Sequence, residues 1–174
     1  STCVVASLAY TACINTSFSA SIETWLLVVR YRLSLNSTVP QRSSSRPGRA
    51  KPTRFLSILP TNHLHSVELH EGDWESDHIK FWEYSVGGKR ETFKEKVEVD
   101  EANMTVKLIG LEGDPMKIYK VFNPMYKVEP KGQGTLATLS IEYEKVNENV
   151  PNPDNYVDFM VSHFKEIAAA IGNA

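Results

Sequence analysis

From residue 64 onward the chain consists of short runs in which apolar and polar residues alternate, each run ending at a turn. Alternation with a period of two places every second side chain on the same face of a β-strand. No helical pattern separates these runs before residue 150, so consecutive strands are joined as hairpins and must be antiparallel. The pattern therefore predicts one antiparallel sheet with a buried face and a solvated face.

The first hairpin, residues 64–86, shows the pattern clearly. Val67 and Leu69 alternate with polar residues, Gly72-Asp73 interrupts the alternation, and an aromatic-rich run resumes at Ile79. Further turn signals lie at residues 100–103, 112–115 and 131–134. Pro124 interrupts the strand predicted over 118–128; because proline has no N–H to donate, this strand is expected to lie at a sheet edge or to contain a bulge.

The C-terminal residues have a different period, which predicts a single long helix. Asn152 is the expected N-cap, Pro153 suits the first turn, and the charge of Asp154 is favourable beside the helix N-terminus. Gly172 is the expected end of the helix. Between these ends, apolar residues recur every three or four positions as one stripe, formed by Tyr156, Phe159, Met160, His163, Phe164, Ile167 and Ile171. The fold class is α+β: a curved antiparallel sheet with this helix across its concave face.

Composition limits the function classes. A chain of 174 residues with a net charge of −2 suits one domain and has no overall attraction to nucleic acid or to an anionic membrane. Its two cysteines, Cys3 and Cys13, both lie near the start, so no disulfide crosses the predicted sheet. This usage suits a reducing compartment, and we expect a cytoplasmic protein.

Residues 1–50 differ in character from residues 51–174. The first fifty residues contain five arginines, no lysine and a single acid, Glu23, which gives a net charge of +4. Residues 51–174 keep 14 basic and 20 acidic residues, a net charge of −6. The segment is rich in Ser and Thr, and residues 41–49 (QRSSSRPGR) have the composition of a linker. We expect residues 1–50 to be an atypical, disordered extension and residues 51–174 to be the folded domain.

Three origins for this extension remain open. Its Ser-rich, Arg-bearing, acid-poor composition is typical of a plastid transit peptide. A membrane anchor is disfavoured because the uncharged run before Glu23 lacks a sustained apolar core. The third origin is a mispredicted first exon. Within the segment, residues 27–35 alternate between apolar and polar positions from Arg30 onward, which makes this run the candidate first strand.

Six motifs occur in the order and spacing typical of one plant family: residues 64–86, 93–100 (FKEKVEVD), 110–114 (GLEGD), 132–134 (GQG), 142–145 (EYEK) and 158–160 (DFM). In these motifs the chain resembles the major latex protein group of the plant superfamily that includes the major birch pollen allergen and the pathogenesis-related class-ten proteins. The resemblance implies the helix-grip, START-like fold. That fold has two short helices after its first strand; residues 52–59 resemble the first, and the second is expected to be missing.

The resemblance also implies a function. Members of this superfamily bind hydrophobic small molecules (sterols, hormones, flavonoids or fatty acids) between sheet and helix, in defence and stress responses. We expect no cofactor, no nucleic-acid partner and no stable membrane insertion, and we expect a monomer or weak dimer. The alternative is an enzyme on the same fold, for which Lys94, Lys96, Lys120, Lys127 and several tyrosines are candidates that no spacing singles out. A lysine with a strongly depressed pKa inside the cavity would favour this alternative.

The predicted cavity residues are apolar or aromatic residues of the strands, together with the helical stripe. Inward apolar residues equally describe a packed core, so the pattern leaves both readings open; a mixture of aromatics and isolated polar groups suits a largely hydrocarbon ligand. The predicted set is Val67, Leu69, Phe81, Tyr84, Phe93, Val97, Val106, Leu108, Tyr119, Leu139, Ile141, Tyr143, Tyr156, Phe159, Met160, His163, Phe164 and Ile167.

Two other chemistries are disfavoured. His63 and His65 form an H-x-H pair, but no third ligand accompanies them at convincing spacing, so no metal site is predicted. The turn at residues 71–77 (EGDWESD) contains four acids and one glycine. Such a turn repels phosphate, which disfavours the nucleotide or RNA binding sometimes linked to the glycine-rich loop of class-ten relatives.

Overall fold

The structure is a computed structural model that describes residues 27–35, 62–74, 77–132 and 134–172. The described residues form seven strands, a 3₁₀ turn at Pro115–Lys117 and a long C-terminal helix. The elements are β1 (Leu27–Leu35), β2 (Leu64–Gly72), β3 (His78–Val86), β4 (Lys89–Asp100), β5 (Thr105–Gly113), β6 (Tyr119–Lys131), β7 (Gly134–Lys145) and α1 (Asp154–Gly172).

The strands form one antiparallel sheet in the order β1-β7-β6-β5-β4-β3-β2. This confirms the predicted fold class. Register shifts interrupt the β2–β3, β4–β5 and β6–β7 ladders. Such irregularities bend and twist strands, and they let the sheet curve around the helix. The core lies between the inner face of the sheet and α1.

Strand β1 occupies the residues whose alternation indicated a first strand. All nine of its residues pair with β7, from Leu27 opposite Tyr143 to Leu35 opposite Thr135. Residues 27–35 thus belong to the sheet. The proposed linker at 41–49 and the short helix at 52–59 lie outside the described residues. Asn62 and His63 form a turn that leads directly into β2, so no helix separates them from this strand.

Pro124 does not lie in an edge strand, because β6 runs between β5 and β7. It pairs with Ile141 of β7, whereas the β5–β6 ladder covers only Thr105 to Lys107 opposite Met125 to Lys127. The proline therefore falls just beyond the end of the β5–β6 pairing. An interior strand tolerates a missing N–H where no neighbouring strand requires it.

The helix begins two residues after the expected N-cap. The Pro153 carbonyl accepts hydrogen bonds from the backbone N–H groups of Tyr156 and Val157, at 3.1 and 3.0 Å. The side-chain oxygen of Asn152 instead accepts a hydrogen bond from the Tyr143 hydroxyl at 3.1 Å. Asn152 therefore ties the start of the helix to β7 rather than capping it.

The GLEGD motif has a structural explanation at the start of β4. A Cβ at Gly110 would lie 2.6 Å from the Phe122 carbonyl oxygen, and Gly113 has a φ of +123° that favours glycine. Asp114 accepts hydrogen bonds from the Thr92 N–H at 2.7 Å and from the Lys117 Nζ at 2.6 Å. The motif therefore fastens the end of β5 to β4.

Two neighbouring valines of β1 provide a test of its contribution to the sheet. Val29 lies half-buried opposite Ile141, whereas Val28 is 44% exposed opposite Glu142. We expect Val29→Asn to lower the free energy of unfolding by about 1–3 kcal/mol, because the amide enters an apolar surface. The matched change Val28→Asn should cost less than about 0.5 kcal/mol. Equal small losses in urea unfolding would show that β1 adds little to the fold.

Candidate ligand-binding interior

From Tyr156 to Ile167 the stripe of α1 faces the sheet, as the helical pattern predicted, and the side chain of Ile171 lies outside the described residues. Its buried residues lie 2–9% exposed and pack toward β3 and β7. The sheet contributes large aromatic and aliphatic side chains to the same space. The helical residues buried there are Tyr156, Val157, Phe159, Met160, His163, Phe164, Ile167 and Ala168.

Near the N-terminus of α1 the interior is aromatic. The Phe122 ring packs edge-to-face against Tyr156 at 4.9 Å between ring centroids and stacks on Tyr119 at 5.3 Å. The hydroxyl groups of these tyrosines point to polar partners: Tyr156 donates to Glu91 Oε2 at 2.7 Å and Tyr119 to the Pro151 carbonyl at 3.0 Å. This end therefore presents ring surfaces to the interior while its hydroxyls are already engaged.

In β3 and β4 the inner face carries a buried ion pair. Lys80 and Glu95 lie directly opposite each other in the β3–β4 ladder, with Lys80 Nζ 3.2 Å from Glu95 Oε1. Both residues are 0% exposed. Lys80 Nζ also lies 4.2 Å from the centroid of the Trp82 ring, a cation–π contact. This places a charged pair inside a core whose other side chains are mostly apolar.

Burial controls the ionisation of this pair. Desolvation raises the pKa of the Glu95 carboxyl to about 7, although the Lys80 ammonium and the Trp82 side chain favour its charged form. Desolvation also lowers the pKa of Lys80, and Glu95 opposes that shift. The two shifts have one physical cause, since removal from water disfavours each charge and only the partner compensates.

His163 of α1 is a further buried polar side chain near this ion pair. Its ring stacks on Phe159 at 5.7 Å and lies 6.0 Å from the Trp82 ring. Burial, followed by the charges of Lys80 and His63, lowers the pKa of His163 to about 3. The imidazole is therefore neutral at physiological pH and has both a donor and an acceptor nitrogen.

The structure brings nearly all of the predicted cavity residues to the inner face. Val67 and Leu69 lie in the edge strand β2, where they are half-buried opposite Trp82 and Lys80 respectively. Phe81 is the exception: it lies on the outer face, where its ring stacks on His70 at 5.7 Å. The remaining predicted residues are buried between sheet and helix: Tyr84, Phe93, Val97, Val106, Leu108, Tyr119, Leu139, Ile141, Tyr143, Tyr156, Phe159, Met160, His163, Phe164 and Ile167.

The misplacement of Phe81 has a simple cause. Phe81 and Tyr84 are three residues apart, so in a regular strand they cannot share a face. The inner residues of β3 are the even-numbered ones, including the unpredicted Lys80 and Trp82. Lys80 and Trp82 could have been found from the sequence, because each is an even number of residues from Tyr84 and therefore shares its face of the strand. Other inner residues absent from the predicted set include His78, Glu95, Phe122 and Tyr126.

The histidines near β2 have structural partners. His63 lies 3.8 Å from Glu166 Oε1, and the His65 ring lies 2.6 Å from the Ser85 hydroxyl. Among the described residues there is no cluster of three or more potential metal ligands. No helix in the described part of the chain has the length and apolar character needed to span a membrane.

An antiparallel sheet that curves around a C-terminal helix defines a protein of the helix-grip class. Residues 51–174 match the Pathogenesis-related protein Bet v 1 family. The chain therefore belongs to the Bet v 1 family, as its motifs indicated.

Known proteins agree with this assignment. MLP-like protein 328 of Arabidopsis thaliana is 36% identical over 103 residues, covering 58% of this chain and 68% of that protein. MLP-like protein 34 of the same plant is 39% identical over 121 residues, covering 67% of this chain and 38% of that protein. The crystal structure of ginseng major latex-like protein 151 from Panax ginseng superposes with a TM-score of 0.68 at 25% identity, covering 83% of this chain and 97% of that one.

His163 predicts a specific acid sensitivity. Its pKa is lowered from 6.5 to about 3, so below pH 6.5 the unfolded chain binds a proton that the folded protein excludes. The free energy of unfolding should then fall by about 1.4 kcal/mol per pH unit from this residue alone as the pH drops toward 3. We expect His163→Leu to flatten the loss of stability between pH 6.5 and pH 4 in urea titrations. Equal slopes in the parent and in His163→Leu would contradict the assignment.

Proposed function

We propose that this protein is a non-enzymatic carrier that binds hydrophobic small molecules between the sheet and α1. The observation that carries the proposal is an apolar, aromatic interior with a few convergent buried polar groups, Lys80, Glu95 and His163. Ligand sites in proteins have this composition, because apolar walls supply affinity and isolated polar groups set orientation. A core that served stability alone would gain little from a buried charge pair.

Apolar area can supply the affinity. Burial of one Leu-sized group is worth roughly 1.5–3 kcal/mol, so a sterol, flavonoid, hormone or fatty-acid ligand would bind usefully through hydrocarbon contact. The proposed contact surface consists of the inner-face residues described above, with Phe159 and Met160 on the helix opposite Tyr84 and Ile141 on the sheet. Membership in the Bet v 1 family supports this proposal.

The cellular setting is part of the same proposal. We place the carrier in the cytoplasm, acting in plant defence or stress responses as a monomer or weak dimer. Residues 14–174 contain no cysteine, so their fold is independent of an oxidising compartment. Targeting to a plastid by residues 1–50 is the alternative location.

One observation supports the alternative function, an enzyme on the same fold. Lys80 is a buried lysine whose pKa is lowered by desolvation, and none of the lysines proposed from the sequence shares this position. Glu95, 3.2 Å away, favours the ammonium form, which has no lone pair with which to attack a carbonyl. We therefore retain the carrier as the proposed function.

Reductive trapping of lysine imines tests the enzyme alternative. The folded parent protein is incubated with decanal and cyanoborohydride near neutral pH, and its lysines are mapped by mass spectrometry. We expect exposed lysines to be modified and Lys80 to remain unmodified. An adduct on Lys80 that is absent from Lys80→Met would favour the enzyme.

Met160 tests the carrier directly. Its side chain is 3% exposed on the inner side of α1. If ligand occupies the space beside it, Met160→Trp should abolish binding of a fluorescent sterol or fatty-acid probe with little loss of stability. In a tightly packed core the same change would cost roughly 1–3 kcal/mol or more. Ser162→Trp, on the half-buried side of the same helix, is the control and should leave probe binding intact. Severe destabilisation of Met160→Trp, with no binding by the parent, would refute the proposal.

A further inference from the structure

Two inner-face side chains hold buried polar atoms that lack a well-formed hydrogen bond within the described part of the chain. These atoms are the indole nitrogen Nε1 of Trp82 and both carboxylate oxygens of Glu95. Lys80 is close to Glu95, but the contact is an ion pair without hydrogen-bond geometry. A buried polar atom that is left without a hydrogen bond costs about 1–3 kcal/mol.

The three side chains form one cluster. Lys80 Nζ lies 3.2 Å from Glu95 Oε1 and 4.2 Å from the centroid of the Trp82 ring. None of the three residues is more than 4% exposed. Hydrogen bonding from the Trp82 side chain favours the charged form of Glu95 and so lowers its pKa, which means that the indole N–H lies close to the carboxylate. The geometry of this contact is poor, since neither the indole nitrogen nor a carboxylate oxygen has a well-formed hydrogen bond.

Charge and hydrogen-bonding capacity together select the chemical group that fits. The pair is neutral overall, so an incoming anion or cation would add an uncompensated buried charge, and a carboxylate would also face Glu95. A group that donates to Glu95 and accepts from Trp82 Nε1–H satisfies both sides without adding charge. A hydroxyl does this with a single oxygen.

The surroundings of the cluster suit the rest of such a molecule. The Trp82 ring lies 6.2 Å from Phe159 of α1, edge-to-face, and 5.5 Å from Tyr84 on its own strand. The Phe159 and Tyr84 rings, whose centroids lie 4.9 Å apart, border the cluster on the helix side. A hydrocarbon body could therefore lie against the aromatic rings while its polar end reaches Glu95 and Trp82.

We propose that Lys80, Glu95 and Trp82 form a polar subsite for the hydroxyl group of an apolar alcohol. The hydroxyl donates to the Glu95 carboxylate and accepts from Trp82 Nε1–H, while Lys80 balances the charge of Glu95. This inference rests on the proposed carrier function and names the ligand class that the carrier prefers: neutral alcohols over acids, amines and fully apolar molecules.

Three matched ligands test the subsite on the unmodified chain: tetradecanol, tetradecyl methyl ether and tetradecanoate, each displacing a fluorescent apolar dye at pH 8. We expect the alcohol to bind about tenfold more tightly than the ether, because a hydrogen bond to a charged group is lost. Tetradecanoate should bind more weakly than the alcohol.

Three variants locate the preference. Lys80→Met/Glu95→Leu removes both charges together, so no lone buried charge remains, and it should abolish the preference for alcohol over ether. Trp82→Phe keeps the ring but removes the N–H, so it should weaken alcohol and ether equally, since both ligands have the acceptor oxygen. Lys96→Met/Glu98→Leu removes an exposed ion pair from the outer face of β4 and should change nothing.

The outcomes separate this inference from the carrier function. Equal binding of alcohol and ether by the parent would overturn the subsite and leave the carrier intact. Tighter binding of tetradecanoate, lost in Lys80→Met/Glu95→Leu, would overturn the hydroxyl assignment in favour of carboxylates. Failure of the parent to bind all three ligands would refute both proposals. The comparison among ligands on the parent protein decides the matter even if a variant fails to fold.

Discussion

Burial of the apolar stripe of α1 against the inner face of the sheet is the interaction on which the other features depend. The sheet presents Trp82, Tyr84, Phe93 and Tyr126 on one face, and each large side chain gains roughly 1.5–3 kcal/mol when covered. The helix provides that cover. The same burial desolvates every polar group between the two layers, so the pKa shifts of Lys80, Glu95 and His163 share one origin.

The sheet in turn depends on a strand from outside the family match. That match covers residues 51–174, whereas β1 lies at Leu27–Leu35 and pairs with β7 along its full length. Without β1, the backbone N–H and C=O groups on one side of β7 would form an open edge. The half-buried residues Val29 and Tyr31 also lie beside Ile141 and Leu139.

The Lys80–Glu95 pair is costly for the fold. Desolvation of two charges is only partly recovered by their mutual attraction, and apolar residues of similar volume often serve stability as well or better. The proposed polar subsite would give this pair a role in recognition rather than in stability. The exposed pair Lys96–Glu98 on the outer face of β4 differs in this respect. Because solvent screens its charges, it contributes little to the free energy of unfolding.

The sequence alone determined the kinds of elements and much of their content. Alternation marked the strands, including β1, and the stripe from Tyr156 to Ile167 marked the buried face of the helix, because these periods follow from backbone geometry. Alternation also determined which residues share a face, but β3 has apolar residues on both faces, Phe81 on one and Trp82 on the other. Only pairing with β4 and cover by α1 decided that the face of Lys80 is buried. Only the tertiary structure showed the ion pair of Lys80 with Glu95 and the hydrogen bond from Tyr143 to Asn152. Each contact joins residues from separate parts of the chain that no local sequence pattern relates.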